Sequence, residues 1–125
     1  MKVLVVDDSM MIRVQVSKIL AAAGFEPIDA VDGLDALDKV KEHDVALVIC
    51  DVTMPRMGGL DFLEELRKDE RFKTLAVVML TTEAQSDLVA RSKSLGAKGW
   101  IIKPFKPDLL VAAARKLTAA PAKTG

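Results

Sequence analysis

Five short apolar runs punctuate the chain, at positions 3–6, 26–30, 45–50, 75–80 and 99–102. The first, third and fourth (VLVV, VALVIC and LAVVML) are almost unbroken. A strand covered on both faces reads this way, because neither face meets water. The second, EPIDA, is weaker, and the fifth, GWII, is short. Between the runs, apolar residues recur at helical spacing. Ile12, Val16, Ile19 and Leu20 form one stripe, which Gly24 ends. Leu34, Leu37 and Val40 form a shorter one, and Leu60, Leu63 and Leu66, with Phe62 alongside, follow Gly58-Gly59. A weaker amphipathic segment spans 86–95 and stops at Gly96. The last spans 108–117 and is expected to turn Leu109, Leu110, Val111, Ala114 and Leu117 mostly inward. Strand and helix thus alternate five times. Right-handed crossovers turn that order into an α/β fold: a (βα)5 doubly wound, five-stranded parallel sheet with helices on both faces.

Composition narrows the function classes. The 125 residues are 50% hydrophobic and 29% charged, which suits one packed domain and argues against disorder. Eighteen basic residues balance 18 acidic ones, so there is no basic footprint for nucleic acid. A single cysteine excludes an internal disulfide and a cysteine-rich zinc site, and a single histidine excludes most histidine-based metal sites. The apolar runs are too short to cross a bilayer. Asp7 and Asp8 interrupt the stretch that a signal peptide would need. The expectation is a cytoplasmic, monomeric single domain over 1–118, with 119–125 as a flexible tail or linker stub.

In an open α/β sheet, the ligand crevice lies beyond the carboxyl ends of the strands. Asp7 and Asp8 follow the first strand, Asp51 the third, Thr81 and Thr82 the fourth, and Lys103 the fifth. Each has an ordinary reading alone: Asp8 or Ser9 as a helix cap, Asp51 as a loop acid before Pro55, a threonine as an N-cap, Lys103 as a solvated lysine. Together they are less ordinary. Three acids in one crevice repel one another, and a hard divalent cation offsets that repulsion. Mg²⁺ takes oxygen ligands, keeps waters and often adds a phosphate oxygen. A lysine and a hydroxyl nearby would serve the other phosphoryl oxygens. The set reads as a phosphoryl-transfer site with Asp51 as nucleophile.

Four segments carry a resemblance: VLVVDDS at 3–9, DVTMPRMGG at 51–59, MLTTE at 79–83 and KPF at 103–105. In this order and spacing, the chain resembles the receiver domain of bacterial response regulators, single-domain chemotaxis regulators in particular, over residues 2 to 118. The resemblance implies the flavodoxin-like receiver fold and a Mg²⁺ cofactor. It implies that Asp51 accepts a phosphoryl group from the phosphohistidine of a histidine kinase. Asp8 matches the main metal carboxylate, Asp7 the acid that reaches the metal through water, and Thr53 a backbone-carbonyl ligand beside Asp51. Thr81 matches the hydroxyl that contacts the attached phosphoryl group, and Lys103 the lysine that pairs with the acids and then the phosphoryl oxygens. Lys103-Pro104 is a candidate for the cis form. Trp100 stands where an aromatic ring turns inward on activation. Indole is bulkier than the tyrosine or phenylalanine usual there, so a graded switch is expected. Thr53 is expected to tune the lifetime of the phosphoryl group, and Glu83 to orient water or simply to favour the N-terminus of helix four.

Cys50 reads as a small core residue and His43 as a surface residue. Gly58-Gly59 lacks the ending of a phosphate loop and reads as a tight turn. The implied function is a phosphorylation-activated switch of a two-component system, in chemotaxis or motility. Its output protein or phosphotransfer protein would bind helix four, strand five and helix five, around Ala84, Val89, Lys98, Trp100 and Ala113. Two alternatives stay open. One is a phosphorelay intermediate or phosphate sink that docks through helix one and the loop after strand five. The other is the excised receiver of a multidomain regulator. A phosphatase or dehalogenase would want an acid at position 53, where this chain has threonine. The protein would catalyse its own phosphoryl transfer and autodephosphorylation without being a conventional turnover enzyme.

Overall fold

The computed structural model describes residues 1–82 and 86–118. Five strands, β1 (Lys2–Val6), β2 (Glu26–Ala30), β3 (Val45–Cys50), β4 (Ala76–Thr81) and β5 (Gly99–Ile102), alternate with α1 (Met10–Ala22), α2 (Gly33–Glu42), α3 (Gly59–Arg67), α4 (Ser86–Ser94) and α5 (Pro107–Thr118). The sheet is parallel throughout, in the order β2-β1-β3-β4-β5. The expected doubly wound α/β architecture is the one observed.

Alternation along the strands splits the core in two. Leu4, Val6, Val48, Cys50, Val77 and Met79 face one side and pack with Ala36 and Val40 of α2 and with Leu60, Phe62, Leu63 and Leu66 of α3. Val3, Val5, Leu47, Ile49, Val78 and Leu80 face the other and pack with Val16 and Leu20 of α1 and Leu110 and Ala114 of α5. The period of two in the pleat sends neighbours to opposite sides, which is why these strands had to be apolar at every position.

Two apolar stripes are narrower than expected. Leu34 is 41% exposed and Leu109 is 59% exposed, so neither joins the core. The buried residues are Gly33, Ala36 and Val40 in α2 and Leu110 and Ala114 in α5, and each exposed leucine lies beside that set near its helix start. A short 3-10 turn at Glu70–Phe72 is an element that the apolar pattern does not mark. Gly24 and Gly96, at φ +94° and +82°, take the left-handed backbone that stops α1 and α4, as their positions suggested. His43 is half-buried at the end of α2, where its backbone N–H, not its imidazole, caps the helix by donating to Lys39 O. No helix among the described residues is long and apolar enough to cross a membrane.

Candidate functional site

β1 and β3 are adjacent, but their chains leave in opposite directions, toward β2 and toward β4. The crevice opens where the connections part, beyond the carboxyl ends of these strands. Two backbone bonds extend the sheet into it: the Asp7 N–H donates to Ala30 O at 3.2 Å and the Asp51 N–H to Val6 O at 2.9 Å. Both acids are therefore held by the sheet, not by loose loops. Carboxylate oxygens of Asp7, Asp8 and Asp51 lie within 4.8 Å of one another. Asp7 and Asp51 are buried, whereas Asp8 is exposed. Ser9 is the cap of α1, accepting from the Ile12 N–H at 3.3 Å, which leaves Asp8 for the cluster.

Lys103 crosses the crevice from the end of β5. Its Nζ donates to Asp7 Oδ2 at 2.9 Å and lies 3.5 Å from Asp51 Oδ2. The remaining carboxylate oxygens are oriented locally: Asp7 Oδ1 accepts from the Ser9 N–H at 2.9 Å and Asp51 Oδ1 from the Val52 N–H at 2.8 Å. Arg13, which sequence reading passed over, donates Nη1 to the Asp7 carbonyl at 2.7 Å. Its signal was helical spacing: it lies one turn after Ser9, on the first turn of α1.

Charge is unbalanced here. Burial pushes the Asp51 carboxyl above the usual carboxylate range and the Asp7 charge adds to this, while Lys103 and the Val52 N–H oppose it. Burial alone would lower the Lys103 ammonium, but the hydrogen bond to Asp7 and the charges of Asp51 and Asp7 outweigh it and hold the group above its ordinary value. One lysine thus answers three acids. A cluster of hard oxygen donors with surplus negative charge could coordinate a divalent cation, and the donor chemistry fits Mg²⁺. Cys50 is fully buried, and burial with the charges of Asp51 and Asp7 holds its thiol well above its ordinary value. It is a neutral core residue, as expected.

Thr81 is the last residue of β4 and is buried, so it stands at the same end of the sheet as the acids. Trp100 pairs in register with Met79, and Thr81 with Ile102. Met79 and Thr81 share a face by strand alternation. Trp100 packs half-buried against the core on that face, between the sheet and α4. Thr53 is exposed in the loop after Asp51. The Lys103-Pro104 bond is cis. Glu83, Ala84 and the segment 119–125 lie outside the described residues.

Residues 3–115 match the response regulator receiver domain family. The chain belongs to that family. It is 38% identical over 112 residues to chemotaxis protein CheY1 of Helicobacter pylori, covering 88% of this chain and 90% of that protein. It is 41% identical over 106 residues to chemotaxis protein CheY-3 of Vibrio cholerae, covering 84% and 82%. The crystal structure of Vibrio cholerae CheY4 superposes with a TM-score of 0.88 at 40% identity, covering 93% of this chain and 97% of that one. This receiver domain is therefore closely related to CheY-type chemotaxis regulators, and its acidic cluster is consistent with a phospho-accepting switch.

Proposed function

We propose that this protein is a phosphorylation-activated switch of a two-component system, acting in chemotaxis. The observation that carries the reading is the shared lysine: Lys103 spans Asp7 and Asp51 across a buried acid pair, with Asp8 at its edge. Asp51 Oδ2 is the nucleophile. It attacks the phosphorus of a histidine kinase's phosphohistidine; the P–O bond forms, the P–N bond breaks and the imidazole keeps the electron pair. Asp7, Asp8, Asp51 and the Thr53 carbonyl would hold a Mg²⁺ ion, which when bound would neutralise charge on the phosphoryl oxygens. The Lys103 ammonium follows charge, from the carboxylates to a phosphoryl oxygen, and the Thr81 hydroxyl donates to another. The acyl phosphate is hydrolysed at the same site, so the protein resets itself.

Two surfaces suit two classes of partner. A groove of about 430 Å³ between β5 and α5, lined by Trp100, Ile101, Ile102, Phe105 and Leu109 among others, adjoins the proposed switch and suits the output protein. An apolar pocket of about 460 Å³ between α1 and the β5–α5 connection, lined by Ile12, Ile19, Lys103 and Phe105 among others, lies beside the acids. It favours a second reading, the relay intermediate or phosphate sink, in which a phosphotransfer protein docks here.

Acetyl phosphate with Mg²⁺ should add one labile phosphoryl mass at Asp51. Asp51→Asn should abolish the addition, and chelation should suppress it. Modification of Asp51→Asn at the wild-type rate would remove Asp51 from its role. Partner capture with and without beryllofluoride separates the readings: an activation-dependent chemotaxis component supports the switch, and a phosphotransfer protein supports the relay.

A further inference from the structure

Two corners of the fold are fastened together beside the acid cluster. One is the turn from β2 into α2, at 31–33; the other is the connection from β3 to α3, at 52–58, which begins directly after Asp51 and carries Thr53. Asp32 is buried although acidic. Its Oδ1 caps α2 by accepting from the Asp35 N–H at 2.9 Å, and its Oδ2 accepts from Arg56 Nε at 2.6 Å. Arg56 has φ +63°, the left-handed backbone, and is the non-glycine residue that does so among those described. An arginine in that conformation is unfavourable unless something holds it. The Gly33 N–H donates to Met57 O at 2.9 Å, and a Cβ on Gly33 would meet Met57 Cγ at 2.6 Å, so the two backbones approach closely. At the far end, the Gly59 N–H donates to Val52 O at 2.9 Å, and a Cβ on Gly59 would collide with the Asp51 carbonyl. The loop is thus closed on itself at one side and latched to α2 at the other.

We infer that Asp32 and Arg56 form a positioning latch that fixes the β3–α3 loop, and with it the Thr53 carbonyl, for cation binding at the acid cluster. The inference rests on the metal-site reading proposed above. Neither residue touches the cation. They act through the loop, as outer partners orient the ligands of metal sites. Sign separates the latch from simple field effects. Removing the Arg56 cation by field alone would strengthen binding of a cation, and removing the Asp32 anion would weaken it. Loss of the latch weakens binding in both cases.

The test is calorimetric Mg²⁺ titration of the wild type, Asp32→Asn, Arg56→Gly, Arg56→Lys and the Asp32→Asn/Arg56→Gly double variant, with circular dichroism to verify folding. Asparagine keeps the cap of α2. Glycine relieves the left-handed backbone, so it removes the latch without adding strain. The expected result is a Kd raised on the order of tenfold in Asp32→Asn and in Arg56→Gly. The double variant should be no weaker than the weaker single, as for partners in one interaction. Arg56→Lys should recover part of the loss. Unchanged or tighter binding in Arg56→Gly, or losses that multiply in the double variant, overturn the latch while leaving the metal site intact. A wild type that binds no Mg²⁺ at millimolar concentration overturns the metal-site reading, and the latch falls with it.

Discussion

Asp51 is buried next to a second acid, with one oxygen turned toward a shared lysine. Its raised carboxyl has a consequence for stability. Between the unfolded carboxylate value of about 3.9 and the higher folded value, the folded state binds more protons. Metal-free stability therefore falls as pH rises through that window and levels off above it. Asp51→Asn should remove this fall. In chelator, the variant should be more stable than wild type at about pH 7, by on the order of 1 kcal/mol, with the advantage shrinking toward about pH 4. Urea midpoints at both pH values check it, and equal midpoints at neutral pH would contradict the charge crowding. The residues of this site were legible because their types and positions are chemical: acids after strands one and three, a hydroxyl after four, a lysine after five. Asp32 and Arg56 were not. Their ion pair joins two loops with no period, and only the fold shows that position 32 is buried.

Between elements, single side chains make the connections. Arg67, at the end of α3, donates Nε to Leu95 O at 2.8 Å, Nη1 to Phe72 O at 2.7 Å and Nη2 to Gly96 O at 3.2 Å. One side chain thus ties α3, the 3-10 turn and the end of α4 together. Arg67→Ala should cost about 2 kcal/mol, since it strands partly buried carbonyls, and the urea midpoint should drop with the slope unchanged. Arg91 of α4 reaches back to Asp61 at 3.1 Å and Glu64 at 2.7 Å on α3, an exposed pair of contacts of small value. On the strand side, Trp100 is the sole tryptophan and there is no tyrosine, so emission reports one position. Beryllofluoride with Mg²⁺ should change that emission beyond the Mg²⁺-only signal. Thr81→Ala should shrink the change while leaving Mg²⁺ binding largely intact; an equal change in both proteins would break the proposed coupling. The strands were readable because burial on both faces forces continuous apolarity. The edge strand β2 was faint for the opposite reason, since Glu26 and Asp29 break its apolar run and are exposed, and Leu34 and Leu109 misled because an apolar residue at a helix start satisfies the period without facing the core.

At the scale of the whole molecule, cation binding and folding are one equilibrium. The acid cluster exists only when β1 and β3 are paired, so a ligand bound there stabilises the fold by RT ln(1 + [L]/Kd). At a Mg²⁺ concentration tenfold above Kd, the gain is about 1.4 kcal/mol. Urea melts across a Mg²⁺ series should show the midpoint rising until saturation, and a flat series at millimolar Mg²⁺ would deny a preassembled site.

The lysine that answers the acids is far from them in the chain: Asp7 and Lys103 are 96 residues apart. A ribosome delivers Asp7 first, Asp51 with the third strand and Lys103 only with the last, on an edge of the sheet. Any chain with β1 and β3 paired but β5 not yet in place would hold Asp7 and Asp51 together without Lys103 between them.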